Sequence, residues 1–205
     1  MIRLLLIVGI ALGLAYPAWN AVSQPYREAG YRWQTQDLPL SIDTSRIGDL
    51  GGLSADEVRQ AVREAMGAWN RGTGRELFQE GSGPNYIAVD DSISNPAETY
   101  VERGQADPSR AAGFHILVSS KYSFSVAPAG ASGKYDLPTV LAHELGHVLA
   151  LGHPVPKSPF DVLDLLCLAP PWNGRLMCPR LEGEVMRFPA SDDLSGFWSI
   201  YGDFR

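Results

Sequence analysis

This 205-residue chain has only two cysteines and four histidines, and it has no excess of positive charge. Aspartate and glutamate number 23 against 17 lysines and arginines, so the formal net charge is −6 at pH 7. A chain of this charge lacks the basic footprint with which proteins bind nucleic acid or anionic lipid, and we expect neither partner. Hydrophobic residues still make up 45% of the chain, which is enough for a core and excludes a disordered protein.

The N-terminal apolar run is too short to span a bilayer. It extends from Leu4 to Ala15, 12 residues, whereas a spanning helix needs about 20. Arg3 before this run and the small residues Ala21 and Ser23 after it are typical of an export signal. We expect a signal peptide over residues 1–23, with cleavage after Ala15 or an uncleaved anchor as alternatives. The sequence thus predicts one secreted or periplasmic domain over residues 24–205, without membrane contact unless the segment is retained.

The two cysteines, Cys167 and Cys178, stand 11 positions apart. They are too few for a zinc site built from thiolates, and exported proteins rarely keep free thiols. We therefore predict a disulfide between them, with two unrelated buried thiols as the alternative.

The pattern of apolar residues predicts an α+β fold around one core. Alternating Leu38, Leu40 and Ile42 indicate a strand within residues 31–44. Two further strands are expected at 86–89 and 114–118, with a polar stretch between them. Four helices are predicted: one capped by Ser54 and ending at Gly72, one over 137–151 capped by Asp136, a short one over 158–166, and one capped by Ser191 or Asp192.

Three of the four histidines fall within 11 residues, at His143, His147 and His153. Residues four apart on a helix lie one above the other, so His143 and His147 can bind one zinc ion at about 2.0–2.1 Å. Glu144 is one position further round the helix and can reach a water on the metal rather than the metal itself. Three neutral imidazoles with one open position are typical of a catalytic zinc site. The fourth histidine, His115, is predicted to be an ordinary strand residue.

The spacing His143-Glu144-x-x-His147, followed by His153 after five further residues, resembles the zinc-binding signature of the metzincin metallopeptidases. Two later segments are similar to the matrixin, or matrix-metalloproteinase-like, branch. Leu176 to Pro179 resembles the Met-turn beneath the metal, and Asp192 to Gly202 resembles the last helix. The resemblance spans residues 31–202. It implies a zincin-like catalytic domain with a twisted mixed sheet, an active-site helix and a C-terminal helix.

This resemblance implies an exported zinc endopeptidase, expected to be a monomer, that hydrolyses protein or peptide substrates. The chemistry would proceed through a zinc-bound water with Glu144 as general base. The substrate would lie extended along residues 114–119 as an edge strand, and residues 179–189 would form the pocket after the scissile bond. The alternative is a secreted zinc-binding interaction domain that keeps the fold without catalysis.

The chain departs from the family pattern at several places. Ala150 stands where glycine is usual, and we expect Gly152 to provide the turn toward His153 instead. Met186 is a rival to Met177 for the Met-turn. No cysteine precedes His143, so no thiol latch on the zinc is expected. Structural calcium bound by Asp90, Asp91, Asp107 or Asp136 is an option that no motif supports.

Overall fold

The computed structural model describes residues 27–46, 49–154, 167, 174–179 and 182–202. The expected signal segment and the short helix expected over 158–166 lie outside the described residues. Within them the fold is mixed α+β, as predicted, and no helix there has the length and apolarity to cross a membrane.

The strands and helices of the described residues divide between one main sheet, two short strand pairs and three helices. The strands are β1 (Arg27–Glu28), β2 (Leu38–Ile42), β3 (Phe78–Glu80), β4 (Tyr86–Val89), β5 (Ala97–Arg103), β6 (Ala111–Val118), β7 (Phe124–Ser125), β8 (Tyr135–Asp136) and β9 (Leu151–Gly152). The helices are α1 (Ala55–Thr73), α2 (Leu137–Val148) and α3 (Ser191–Tyr201).

The main sheet has the strand order β3-β2-β4-β6-β5. Its first four strands are parallel, and β5 runs antiparallel to β6 at the edge. The expectation that residues 114–119 form an edge strand is wrong, because β6 pairs with β4 on one side and β5 on the other. The edge strand is instead β5, which lies in the polar stretch expected to connect the strands at 86–89 and 114–118. Its sequence signal is weak: Thr99 and Val101 alternate with Glu98 and Glu102, but of these four only Val101 is strongly apolar.

Helix α1 is built as its local sequence dictates. The Glu57 N–H donates to the Ser54 hydroxyl, and the Ser54 N–H donates to the Glu57 carboxylate at 2.8 Å, which confirms the capping box. The expected end at Gly72 is wrong, since the helix continues to Thr73. Gly74 then closes it with a left-handed φ of 65°.

Helix α2 is buried on nearly all sides. It packs against α1, where the indole N–H of Trp69 donates to the Ala142 carbonyl at 2.8 Å, and against β5. Asp136 caps it as predicted, accepting a hydrogen bond from the Thr139 N–H. The helix ends at Val148 rather than Leu151, because the chain turns and enters β9, which pairs with β1.

Helix α3 fixes the backbone of residues 176–177, which precede it in the sequence, through hydrogen bonds. The carboxylate of Asp193, 1% exposed, accepts hydrogen bonds from the backbone N–H groups of Leu176 (2.8 Å) and Met177 (3.2 Å). The same carboxylate also accepts from the N–H of Ala190, which is the N-cap instead of the expected Ser191 or Asp192. The predicted Cys167–Cys178 disulfide is confirmed, with 5.6 Å between the Cα atoms.

Candidate metal centre

The three histidines that the sequence singled out converge on one point. The Nε2 atom of His153 lies 3.1 Å from Nε2 of His143 and 3.2 Å from Nε2 of His147. Tetrahedral ligands at about 2.0–2.1 Å from a zinc ion stand roughly 3.3–3.4 Å apart. Among the described residues, this is the one group of three or more histidine, cysteine, aspartate or glutamate side chains that could hold a metal ion.

Two of the imidazoles are oriented by backbone carbonyls. The Nδ1 atom of His143 lies 2.7 Å from the Leu176 carbonyl oxygen, and that of His147 lies 2.7 Å from the Leu151 carbonyl oxygen. A carbonyl oxygen can only accept, so each Nδ1 carries the proton and each Nε2 presents its lone pair to the centre. Outer partners of this kind are typical of histidines that bind metals. The donor set therefore fits a cation that prefers nitrogen ligands.

The turn that delivers His153 is made by Ala150, which has a φ of 65°. The expectation that Gly152 would provide it is wrong: Gly152 belongs to β9 and pairs with Arg27 of β1. A Cβ atom on Gly152 would lie 3.3 Å from the Cβ of Arg27, so this glycine permits a close approach of the two strands. The left-handed conformation costs an alanine about 1 kcal/mol. The Ala150 methyl group is fully buried, and this recovers a similar amount, about 0.8 kcal/mol.

Glu144 lies beside the histidines with its side chain largely buried. Its carboxylate accepts a hydrogen bond at 2.7 Å from the hydroxyl of Thr99 on β5, and the same hydroxyl lies 3.1 Å from the Glu144 carbonyl oxygen. Burial raises the pKa of Glu144, while the nearby His147 and the Thr99 hydroxyl act to lower it. Sequence reasoning missed Thr99, because its contact with Glu144 depends on the edge strand that the sequence did not reveal.

Met177 lies under helix α2, which bears His143 and His147. A Cβ atom on Gly146, one turn from His143, would overlap the sulfur of Met177 and come within 2.9 Å of Trp69 Cζ2. The residue before Met177 supplies the carbonyl that orients His143. Met186, the rival candidate, instead donates its N–H to Thr139 near the start of α2. These contacts favour Met177 as the floor of the site.

The remaining candidates are engaged elsewhere. His115 stacks between Tyr86 and Tyr100 on the outer face of the sheet, with ring centroids 5.2 and 5.0 Å away. The four carboxylates named for calcium all accept hydrogen bonds from the protein: Asp90 from Ser92, Asp91 from Ser120 and Arg46, Asp107 from Ser109 and Arg110, and Asp136 from Thr139 and Arg187. The hydroxyl of Ser120, with Arg46, lowers the pKa of Asp91 to about 2.

A cleft of about 390 Å³ opens beside His147. Its walls come from three parts of the chain: the segment after β1, the edge strand β5, and the turn into β9. The lining residues are Ala29, Tyr31, Thr99, Val101, Arg103, His147, Leu151 and Gly152. The hydroxyl of Tyr31 donates to the His147 carbonyl oxygen, so the outer wall is tied to the helix that bears His143 and His147.

No protein-family model matches this chain, and no curated protein matches it. The site is therefore described from its own residues. Those residues form a centre of three imidazoles that could hold a metal ion, next to a buried carboxylate and an open cleft along a sheet edge. Such an arrangement can bring a proton acceptor and a bound cation next to an extended peptide in the cleft.

Proposed function

We propose that this protein is an exported zinc-dependent endopeptidase of the metzincin type, similar to the matrixin branch. The observation that carries the proposal is the convergence of the His143, His147 and His153 Nε2 atoms beside the Glu144 carboxylate. A set of three nitrogen ligands with near-tetrahedral spacing is typical of zinc in hydrolases. Export is supported by the N-terminal signal pattern and by the disulfide.

The chain's own groups divide the work of peptide hydrolysis. When bound, zinc supplies a Lewis acid that lowers the pKa of a water to about 7 and polarises the substrate carbonyl. Glu144 accepts the proton of the attacking water and returns it to the leaving amine. Thr99 holds the Glu144 carboxylate in place, and the Leu176 and Leu151 carbonyls hold two of the histidines.

The edge strand β5 supports an extended protein or peptide substrate. Its open side can pair with a peptide backbone, as in β-augmentation. Because Thr99 of β5 contacts Glu144, a peptide paired along this strand passes the general base. We assign the substrate to β5 in place of residues 114–119, and keep residues 179–189 as the pocket after the scissile bond.

The test combines metal content with casein cleavage on one preparation of the purified protein. We expect one zinc per chain, cleavage that a chelator abolishes, and a loss of at least about 100-fold in Glu144→Gln with zinc content unchanged. Glu80→Gln, which removes an exposed glutamate on β3 at the opposite edge of the sheet, is the matched control and should cleave as the wild type does.

Two results would overturn the proposal. Zinc at full occupancy without cleavage of casein or of a peptide library would favour the interaction domain. Absence of bound zinc after refolding with the metal would remove the basis of both functions.

A further inference from the structure

The cleft beside His147 has a single formal charge among its lining residues. Arg103, at the end of β5, is its one cationic side chain, and no carboxylate belongs to the eight residues that line it. His147 is neutral when it binds a metal. Arg103 is therefore the one side chain lining the cleft that carries a formal charge, within a chain whose overall charge is −6.

The position of the Arg103 guanidinium is fixed by two contacts. It donates a hydrogen bond at 3.1 Å to the Ala29 carbonyl oxygen, and its central carbon lies 5.2 Å from the centre of the Tyr31 ring. The second contact is a cation–π interaction, which orients the guanidinium without neutralising it. The bond to Ala29 uses one of the five N–H groups of an arginine. A positively charged, preoriented fork of this kind suits a carboxylate.

The spacing along β5 sets where that carboxylate would lie. Thr99, Val101 and Arg103 all line the cleft, although the β5–β6 register shifts between Glu102 and Arg103. Arg103 lies four residues beyond Thr99, which is about 13 Å at the rise of a strand. This distance exceeds the Debye length of about 8 Å at physiological salt. At this separation the repulsion between Glu144 and a carboxylate at the exposed Arg103 end is weak compared with the attraction of Arg103 in direct contact.

We propose that this cleft is a specificity subsite for an acidic side chain of the substrate, three or four residues from the scissile bond on the Arg103 side. The inference rests on the proposed peptidase function and extends it to a substrate class: extended peptides with aspartate or glutamate at that distance. Tyr31 is the platform that holds Arg103, and Arg103 is the residue that contacts the substrate carboxylate.

Cleavage profiling tests the subsite directly. The probes are quenched-fluorescent decapeptides that carry one glutamate at successive positions among neutral residues, with matched glutamine and lysine sets. We expect kcat/KM for the best glutamate position to exceed that of its glutamine partner about fivefold, as for a partly exposed charge pair. Arg103→Gln should abolish this preference, and Arg103→Glu should replace it with a preference for lysine at the same position.

Arg63→Gln is the matched control, because it removes one arginine charge from the exposed face of α1, where Arg63 pairs with Glu80. It should keep the wild-type profile. Melting temperatures of all variants identify any that fail to fold. Equal cleavage of the glutamate and glutamine sets by the wild type, or an unchanged profile in a folded Arg103→Glu variant, would overturn the subsite.

A binding measurement separates failure of the subsite from failure of the peptidase. The same peptides, labelled with a fluorophore, are titrated against Glu144→Gln by anisotropy at low and high salt. We expect about fivefold tighter binding of the glutamate peptide at low salt, lost in the double variant with Arg103→Gln. If the wild type cleaves nothing but this preference persists, the proposed function fails and carboxylate recognition stands. If the wild type cleaves but neither assay shows a preference, only the subsite is wrong.

Discussion

Helices α1 and α2 lie against each other, yet they follow different rules. α1 has a capping box, a glycine at its left-handed C-cap and one buried face. α2 carries a buried glutamate and histidine, has in its last turn a glycine packed against a core methionine, and leads into an alanine in the left-handed conformation. Each feature of α1 stabilises a helix wherever it occurs. Each of the named features of α2 lowers stability unless a particular neighbouring residue compensates.

The costly features of α2 all adjoin the proposed centre. Gly146 makes room for Met177 beneath the site, Ala150 turns the chain to His153, and Thr99 satisfies the buried Glu144. Departures from local rules are expected where function constrains a fold. The pKa values of two glutamates express the same contrast. The backbone and hydroxyl of Ser54 lower that of Glu57 in α1, and burial raises that of Glu144 in α2.

Replacing a glycine within each helix by alanine should show the largest difference between α1 and α2. A Cβ atom on Gly146 would overlap the Met177 sulfur and approach Trp69, both buried in the core. We expect Gly146→Ala to lower the free energy of unfolding by about 3 kcal/mol, because the core around it is already filled. Chemical denaturation of the metal-free protein measures the change.

Gly67 in α1 is the matched position. There the closest atom to a new Cβ, at 2.8 Å, belongs to the mobile end of the Arg71 side chain, which can move aside. Gly67→Ala should therefore stabilise the protein by about 0.5–1 kcal/mol through helix propensity. Equal effects at the two positions would show that α2 is no more constrained than α1.

Removal of the hydrogen bond from Thr99 to Glu144 should give the next largest effect, a loss of catalytic rate. Glu57 is held by a hydrogen bond from Ser54 at the start of its own helix, whereas Glu144 accepts its hydrogen bond from Thr99 on strand β5. Thr99→Val keeps the shape but leaves the buried carboxylate without this donor, so we expect kcat to fall about tenfold with little change in KM. Thr99→Ser restores a hydroxyl and should recover most of the rate. Equal rates for the valine and serine variants would contradict a positioning role.

The contrast between α1 and α2 also explains how far the sequence could predict the fold. The capping box of α1, the Asp136 cap of α2, the disulfide and the three histidines depend on residues close in the chain or on spacing, and all were found. The edge strand β5 was missed because its partly exposed residues lack a strong apolar alternation. The turn at Ala150 was misplaced onto Gly152, since local preference favours glycine and the compensating burial of the alanine methyl is a tertiary effect.

Two residues with left-handed backbone conformation, Gly74 after α1 and Ala150 after α2, should differ in how far stability changes when glycine and alanine are exchanged. Gly74 has no atom within 4 Å of a new Cβ, so Gly74→Ala adds only strain and should cost about 1 kcal/mol. Ala150→Gly relieves similar strain but removes a buried methyl group, so we expect a change of less than about 0.5 kcal/mol. Thermal unfolding of the two variants beside the wild type measures both. A clear stabilisation by Ala150→Gly would mean that the methyl contributes nothing.

The smallest effect is the acid titration of the α1 cap. The hydrogen bonds from the backbone and hydroxyl of Ser54 lower the pKa of Glu57 below its ordinary value of 4.5. A carboxyl whose pKa is lower in the folded state stabilises the fold above the unfolded pKa and loses this contribution as the pH falls through the folded value. Melting temperatures between pH 3 and pH 6 should thus fall less steeply in Glu57→Gln than in the wild type. Glu102→Gln, on the exposed face of β5, controls for the loss of one carboxylate. The cap depends only on Ser54 and Glu57 at the start of α1. The difference between the two variants should therefore persist in metal-free protein, in which no ion bound by the three histidines contributes to stability.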